Sequence, residues 1–110
     1  MAKFEKSFQG DFDHALSLLH QAVMDGSTTA SLEDGSDFRC GDARCAVRVY
    51  ERYSYFGGNR VSLSLTLFGQ GDRLHLSAIT AGGSQAVFFK VNTFGEEAFL
   101  DTIRQTVDSL

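Results

Sequence analysis

The chain has no proline and no tryptophan, and only two cysteines in 110 residues. Without proline there is no polyproline II ligand and no stiff proline-rich linker. Cys40 and Cys45 are separated by four residues, which is neither a Cys-x-x-Cys redox motif nor half of a tetrahedral metal site. They read as free thiols. A disulfide would need Gly41 and Asp42 to form a turn that sets the two thiols face to face, and a cytosolic redox poise would not preserve it. No apolar run reaches the 18 residues of a membrane span. No apolar segment of a secretion signal follows Met1-Ala2-Lys3-Phe4-Glu5-Lys6, so the expected location is cytoplasmic. His14, His20 and His75 are scattered, without the i, i+4 spacing of a helical metal pair. No metal, no cofactor and no catalytic residues are expected.

Positive charge is also scarce. The net charge is −4. Residues 1–44 carry −4, residues 45–81 carry +2 through Arg48, Arg52, Arg60 and Arg73, and residues 82–110 carry −2. Four arginines do not make the dense basic patch of a nucleic-acid footprint, so no nucleic acid is expected as a partner.

What is present is alternation. From Cys45 to Ala81 the chain reads as three consecutive antiparallel strands. Val61, Leu63, Leu65 and Leu67 alternate with Arg60, Ser62, Ser64 and Thr66, and Leu74, Leu76 and Ala78 alternate with Arg73, His75 and Ser77. One apolar and one polar side at period two mark half-buried strands. In the first strand Val47, Val49, Glu51, Tyr53 and Tyr55 share one side, and Ala46, Arg48, Tyr50, Arg52 and Ser54 the other. The valines suggest that the first set joins the leucines. Gly57-Gly58-Asn59 and Gly69-Gln70-Gly71-Asp72 supply the turns.

The flanks supply the cover. Lys3–Phe8 reads as a short strand with Phe4 and Phe8 on one side. Asp11 is a helix N-cap, Phe12, Ala15, Leu16, Leu19 and Val23 form an apolar stripe, and Gly26 ends the helix. Residues 27–33 read as a strand stopped by the turn signal Asp34-Gly35, and residues 36–44 fit strand and loop alike. Ala86-Val87-Phe88-Phe89 is extended by propensity. Thr93 and Glu96 form a capping box for a second helix carrying Phe99, Ile103 and Val107. The expected architecture is a single α+β domain over residues 1–110. It is an antiparallel sheet of four to six strands with two helices on one face, in the order β-α-β4-α.

Candidate functional residues follow from this register. The polar side gathers Arg48, Tyr50, Arg52 and His75 with small hydroxyls, either a solvated face or, since Tyr and Arg favour interfaces, a homodimer surface. Glu51, falling on the apolar side, calls for a structural partner such as an arginine. Gly82-Gly83-Ser84-Gln85 is a tight corner, or a nest of backbone N–H groups for an anion, without the lysine of a phosphate-binding loop. Ten phenylalanines raise a second possibility. This is a small apolar ligand held between the second helix and the sheet by Tyr53, Phe88, Phe89 and Phe99.

The element order resembles TATA-binding-protein-like and helix-grip folds. Gly57-Gly58-Asn59-Arg60-Val61, Ser77-Ala78-Ile79-Thr80, Gly82-Gly83-Ser84-Gln85-Ala86 and Asn92-Thr93-Phe94-Gly95-Glu96 resemble a family of short uncharacterised bacterial proteins. That resemblance implies the fold and carries no activity. The functional expectation is a small cytoplasmic binding or interaction module without catalysis, self-associating through the polar sheet face, with the ligand-binding domain as the alternative.

Overall fold

The computed structural model describes residues 2–53, 60–82, 100 and 103–108. Its elements are β1 (Ala2–Gln9), α1 (Phe12–Asp25), β2 (Ser31–Cys40), β3 (Ala43–Tyr53), β4 (Arg60–Gln70) and β5 (Arg73–Gly82), and residues 103–108 are helical. The strands form one antiparallel sheet in the order β1-β5-β4-β3-β2. The meander β2 to β5 is thus laid down in chain order, and the N-terminal strand closes the far edge against β5. The chain belongs to the α+β class, as the alternation and the helical stripes imply.

β4 sits in the middle and sets the core. Val61, Leu63, Leu65 and Leu67 are fully buried, flanked by Leu74, Leu76 and Ala78 of β5. Each such leucine gains about 1.5–3 kcal/mol on burial. α1 covers this face with Phe12, Ala15, Leu19 and Val23, spaced three and four residues apart along one stripe. Its start is fixed by Asp11, whose carboxylate accepts the His14 N–H at 2.9 Å. Its end is fixed by Gly26, whose N–H donates to the Ala22 carbonyl. Leu100, Ile103 and Val107 join the same core. Residues 103–108 lie beside β1, where Lys6 Nζ donates to Asp108 Oδ1 at 3.2 Å and the Arg104 guanidinium stands 5.6 Å from the Phe4 ring centre.

Two-residue turns join β2 to β3 and β4 to β5. Gly41 and Gly71 open them at φ of 60° and 62°, and Asp42 and Asp72 follow at negative φ. This is the type II′ pattern, whose twist matches that of the flanking strands. Gly69 serves a different need. A Cβ there would lie 2.7 Å from Phe12 Cδ2 and 2.8 Å from Leu74 Cδ2, so its missing side chain is what lets α1 seat Phe12 on the sheet.

Three expectations are corrected. The strand expected over residues 27–33 begins at Ser31 and continues to Cys40, so residues 36–40 are strand. Asp34-Gly35 does not turn the chain. The register slips between Leu32 and Asp34, a bulge, and Gly35 makes room for the Arg48 side chain, whose Cδ would lie 3.1 Å from a Cβ. Most consequentially, β3 faces the other way. Tyr50 pairs with Leu63, Arg48 with Leu65 and Ala46 with Leu67, so Ala46 and Tyr50 enter the core. Val47 and Val49 pair with Thr66 and Ser64 on the opposite face. Tyr50 takes the core side, where its ring is fully buried and its hydroxyl has a partner in the His20 ring. The expected turn at Gly57-Gly58-Asn59, the strand at residues 86–89 and the capping box at Thr93 and Glu96 lie outside the described residues.

Candidate functional site

The face away from the helices can be read row by row from the register. One row crosses all five strands as Ser7, His75, Phe68, Cys45 and Phe38. Below it, towards the turns, run Gln9, Arg73, Gln70, Ala43 and Cys40. On the other side come Glu5, Ser77, Thr66, Val47 and Ser36, and then Lys3, Ile79, Ser64, Val49 and Asp34. The middle of the face is therefore built from small hydroxyl and aliphatic side chains, and the larger groups stand near the turns and the edges.

Apolar exposure concentrates here. Phe38, Tyr53, Phe68 and Ile79 are 59%, 56%, 45% and 37% exposed, and all four stand on this face; among the described large apolar residues only Leu32 is comparably exposed elsewhere. They stand apart from one another on it: Phe38 and Phe68 in the row near the turns, Ile79 two rows away on β5, and Tyr53 at the far end of β3. The charges nearly balance: Lys3, Arg60 and Arg73 against Glu5, Asp34 and Glu51, with Glu33 also reaching Arg60. The acidity of the chain is carried elsewhere.

Glu51 finds the arginine partner that its position calls for. Arg60 reaches it directly and lies 3.9 Å from Glu33, and the same guanidinium stands 5.8 Å from the Tyr53 ring centre. The partner stands on the open face, because β3 is turned over relative to the expected register. At the turn end, Ser7 Oγ and His75 Nδ1 are hydrogen-bonded at 2.8 Å, and His75 Nε2 lies 3.6 Å from Glu5 Oε2. The Ser–His pair borders a shallow hollow of about 490 Å³ together with Gln9, Phe68, Gln70 and Arg73. The imidazole–carboxylate separation is too long for a hydrogen bond, and the pair lies on an exposed part of the strand surface.

The other expected interface residues lie on the helix side and have structural work. Arg48 donates to the Val47 carbonyl at 2.9 Å, the Ser36 carbonyl at 3.3 Å and Asp37 Oδ1 at 3.0 Å, bracketing β3 to the edge strand. Tyr50 is fully buried, and its hydroxyl and His20 Nδ1 are hydrogen-bonded at 2.9 Å. Burial pushes its ionisation above the usual tyrosine range, against the pull of nearby Arg48. Burial likewise lowers that of Arg52, which shares the helix side. His75 is the one member of the expected Arg48, Tyr50, Arg52 and His75 set that stands on the open face. Tyr53 is also there, so it does not line a grip beneath a helix; Phe88, Phe89 and Phe99 lie outside the described residues. Gly82 ends β5, paired with Val61, and Gly83, Ser84 and Gln85 lie outside the described residues.

One cluster was not legible in the sequence. Arg44 donates two hydrogen bonds to Asp13, at 3.0 and 3.1 Å, and its guanidinium stacks 4.0 Å from the Phe12 ring centre. The hydrogen bond holds Asp13 below the ordinary carboxylate range and raises Arg44, in both cases against a smaller desolvation effect. This clasp fixes the start of α1 over Gly69. It borders a second hollow, of about 350 Å³, with Asp37, Phe38, Arg39 and Cys45. The thiols do not pair. Cys40 is opposite Ala43 and Cys45 opposite Phe38, a diagonal across the hairpin, and both are free.

Among the described residues, no three His, Cys, Asp or Glu side chains converge as a metal site, and no helix is long and apolar enough to cross a membrane. No curated protein matches the chain significantly. A family profile covers its whole length, residues 1–110, and on that match the chain belongs to DUF6054, a family of unknown function.

Proposed function

We propose that the protein is a small non-catalytic interaction module that works through the open face of its sheet and self-associates there. The observation that carries this reading is that Phe38, Tyr53, Phe68 and Ile79, four of the five exposed large apolar side chains among the described residues, stand on one face of the sheet. Five strands about 4.8 Å apart and about ten residues long present roughly 700–800 Å². That is the area each partner contributes to a standard protein–protein interface, about 800 Å². Charge agrees: the chain carries −4, which repels a second copy, whereas the face is nearly balanced. The exposed free thiol of Cys40 suits a reducing compartment and supports a cytoplasmic setting. The helices stacked on one sheet face keep a helix-grip-like architecture as a proposal about shape alone.

Sedimentation velocity across a concentration series tests the reading. The expected result is a concentration-dependent dimer that Ser64→Glu abolishes, because a carboxylate at the centre of the face would be buried unpaired. As a solvent-facing change, it should shift folding stability by no more than about 0.5 kcal/mol. A protein that stays monomeric at millimolar concentration overturns the proposal, as does a dimer indifferent to Ser64→Glu.

A further inference from the structure

We infer that the hollow at the turn end of the open face is a binding site for a small planar aromatic carboxylate, held by the Arg73 guanidinium and the exposed ring of Phe68. It is separate from the self-association proposed above, and neither reading needs the other.

Two cross-strand rows over β1, β5 and β4 build the site. One is Ser7, His75 and Phe68, and the next is Gln9, Arg73 and Gln70. All of them line the hollow of about 490 Å³. Small-molecule sites span about 300–1,000 Å³. Arg73 is the middle residue of its row and the permanent cation of the lining. Elsewhere on the sheet Arg44 is paired with Asp13, Arg48 with Asp37, and Arg60 with Glu51. The Arg73 side chain has no ion pair, hydrogen bond or ring contact among the described residues. A guanidinium left open in a hollow presents a planar fork that matches a carboxylate through two parallel N–H···O bonds. Gln9, beside it on β1, adds an amide donor.

The surroundings set the charge of the ligand. Glu5 Oε2 lies 3.6 Å from His75 Nε2 on one side, and Asp42 Oδ1 accepts from Gln70 Nε2 at 3.2 Å on the other. One cation between two carboxylates accommodates a single negative charge and disfavours a second, so a carboxylate fits better than a phosphate dianion.

The ring sets its shape. Phe68 is 45% exposed and diagonal to Arg73 across β4 and β5, a separation of about 7–8 Å. An acid group on Arg73 therefore leaves the ring that carries it beside Phe68, where aromatic pairs stack at roughly 4.5–7 Å between centres. Ser7 Oγ and His75 Nδ1 are hydrogen-bonded to each other at 2.8 Å and wall the hollow opposite Arg73.

Two-dimensional amide NMR of the full chain, titrated with 2-naphthoate, tests the site. Saturable shifts are expected at Ser7, Phe68, Arg73 and His75. Arg73→Gln should raise the dissociation constant about tenfold, as should replacing the probe by the neutral 2-naphthamide. Phe68→Ser should raise it about three- to tenfold. Arg39→Gln, which removes the same charge from the other side of the sheet, should change it less than about threefold. 2-Naphthyl phosphate should bind no more tightly than the naphthoate, and tighter binding overturns the choice of a carboxylate. The site is wrong if Arg73→Gln has no effect, if Arg39→Gln matters as much, or if the amide binds as well as the acid. The titration is repeated in Ser64→Glu, so that a second copy seated on the face cannot mask the hollow. No saturable binding there at about 10 mM naphthoate also overturns it. Sedimentation reads the dimer separately, so either reading can fail while the other stands.

Discussion

The covered and open faces of the sheet are made by the same strands, yet the chain commits to them in different ways. On the covered face, Leu63, Leu65 and Leu67 of β4 meet Leu74 and Leu76 of β5 and the stripe of α1, and each is closed off from water. On the open face, the residues between them are Ser62, Ser64 and Thr66. The covered face is held by volume and shape. The open face is held by strand pairing and by a few polar ties among the described residues, Arg60 with Glu51 and Ser7 with His75, at its margins. Neighbouring positions of one strand should therefore differ sharply in what they cost to change.

The widest contrast is Leu65 against Ser64. Leu65→Ala should lose about 2–5 kcal/mol in chemical denaturation, since it removes buried methylenes and leaves a cavity under α1. Ser64→Ala should move stability by about 0.5 kcal/mol or less. Near-equal costs would mean that the two faces are not as different as they look. Gly69 sharpens the comparison where helix and sheet touch. Gly69→Ala should cost about 1–3 kcal/mol, because the new methyl collides with the Phe12 ring that Arg44 clamps from the other side. A neutral result would show that α1 can shift to make room.

Tyr50 gives a smaller effect than Leu65 or Gly69, and the only one tied to pH. Tyr50→Phe removes the hydrogen bond to His20 and should cost about 1 kcal/mol near neutrality. Burial raises the Tyr50 ionisation in the folded protein, so the folded state favours the neutral phenol. Its contribution is complete below about pH 10, where the unfolded chain begins to release the proton, and declines as pH rises through the folded value. The stability gap between the parent and Tyr50→Phe should therefore narrow in denaturant melts above pH 10. A gap that stays constant there would place the hydroxyl in water.

The sheet was legible where alternation was clean and illegible where both sides of a strand were apolar. β4 reads without ambiguity because leucine alternates with serine. β3 does not: Val47 and Val49 on one side compete with Ala46 and Tyr50 on the other. A one-residue choice of register inverts the whole strand. The arginines deepened the error. Arg44, Arg48 and Arg52 look like a solvent row, but their stems lie along the covered face while two of the guanidinia reach out to Asp13 and Asp37. The four-residue arginine spacing was visible; the acids that satisfy it stand on α1 and β2, too far away in sequence to be paired by pattern. Of Arg48, Tyr50, Arg52 and His75, expected together on one polar side, only His75 stands on the face away from the helices. Its strand, like β4, alternates cleanly.

The pairing of β1 with β5 has a consequence in time. Phe8 waits for Leu74, and Ala2 for Thr80, across most of the chain. β2 to β5 can zip together from neighbouring hairpins, but β1 cannot pair until β5 has been made. At about 5–20 residues per second of synthesis, its backbone stays unmatched for roughly 4–15 s after it leaves the ribosome. Lys3, Glu5 and Lys6, spread along that strand, keep the waiting segment soluble and discourage premature coupling to a neighbouring nascent chain.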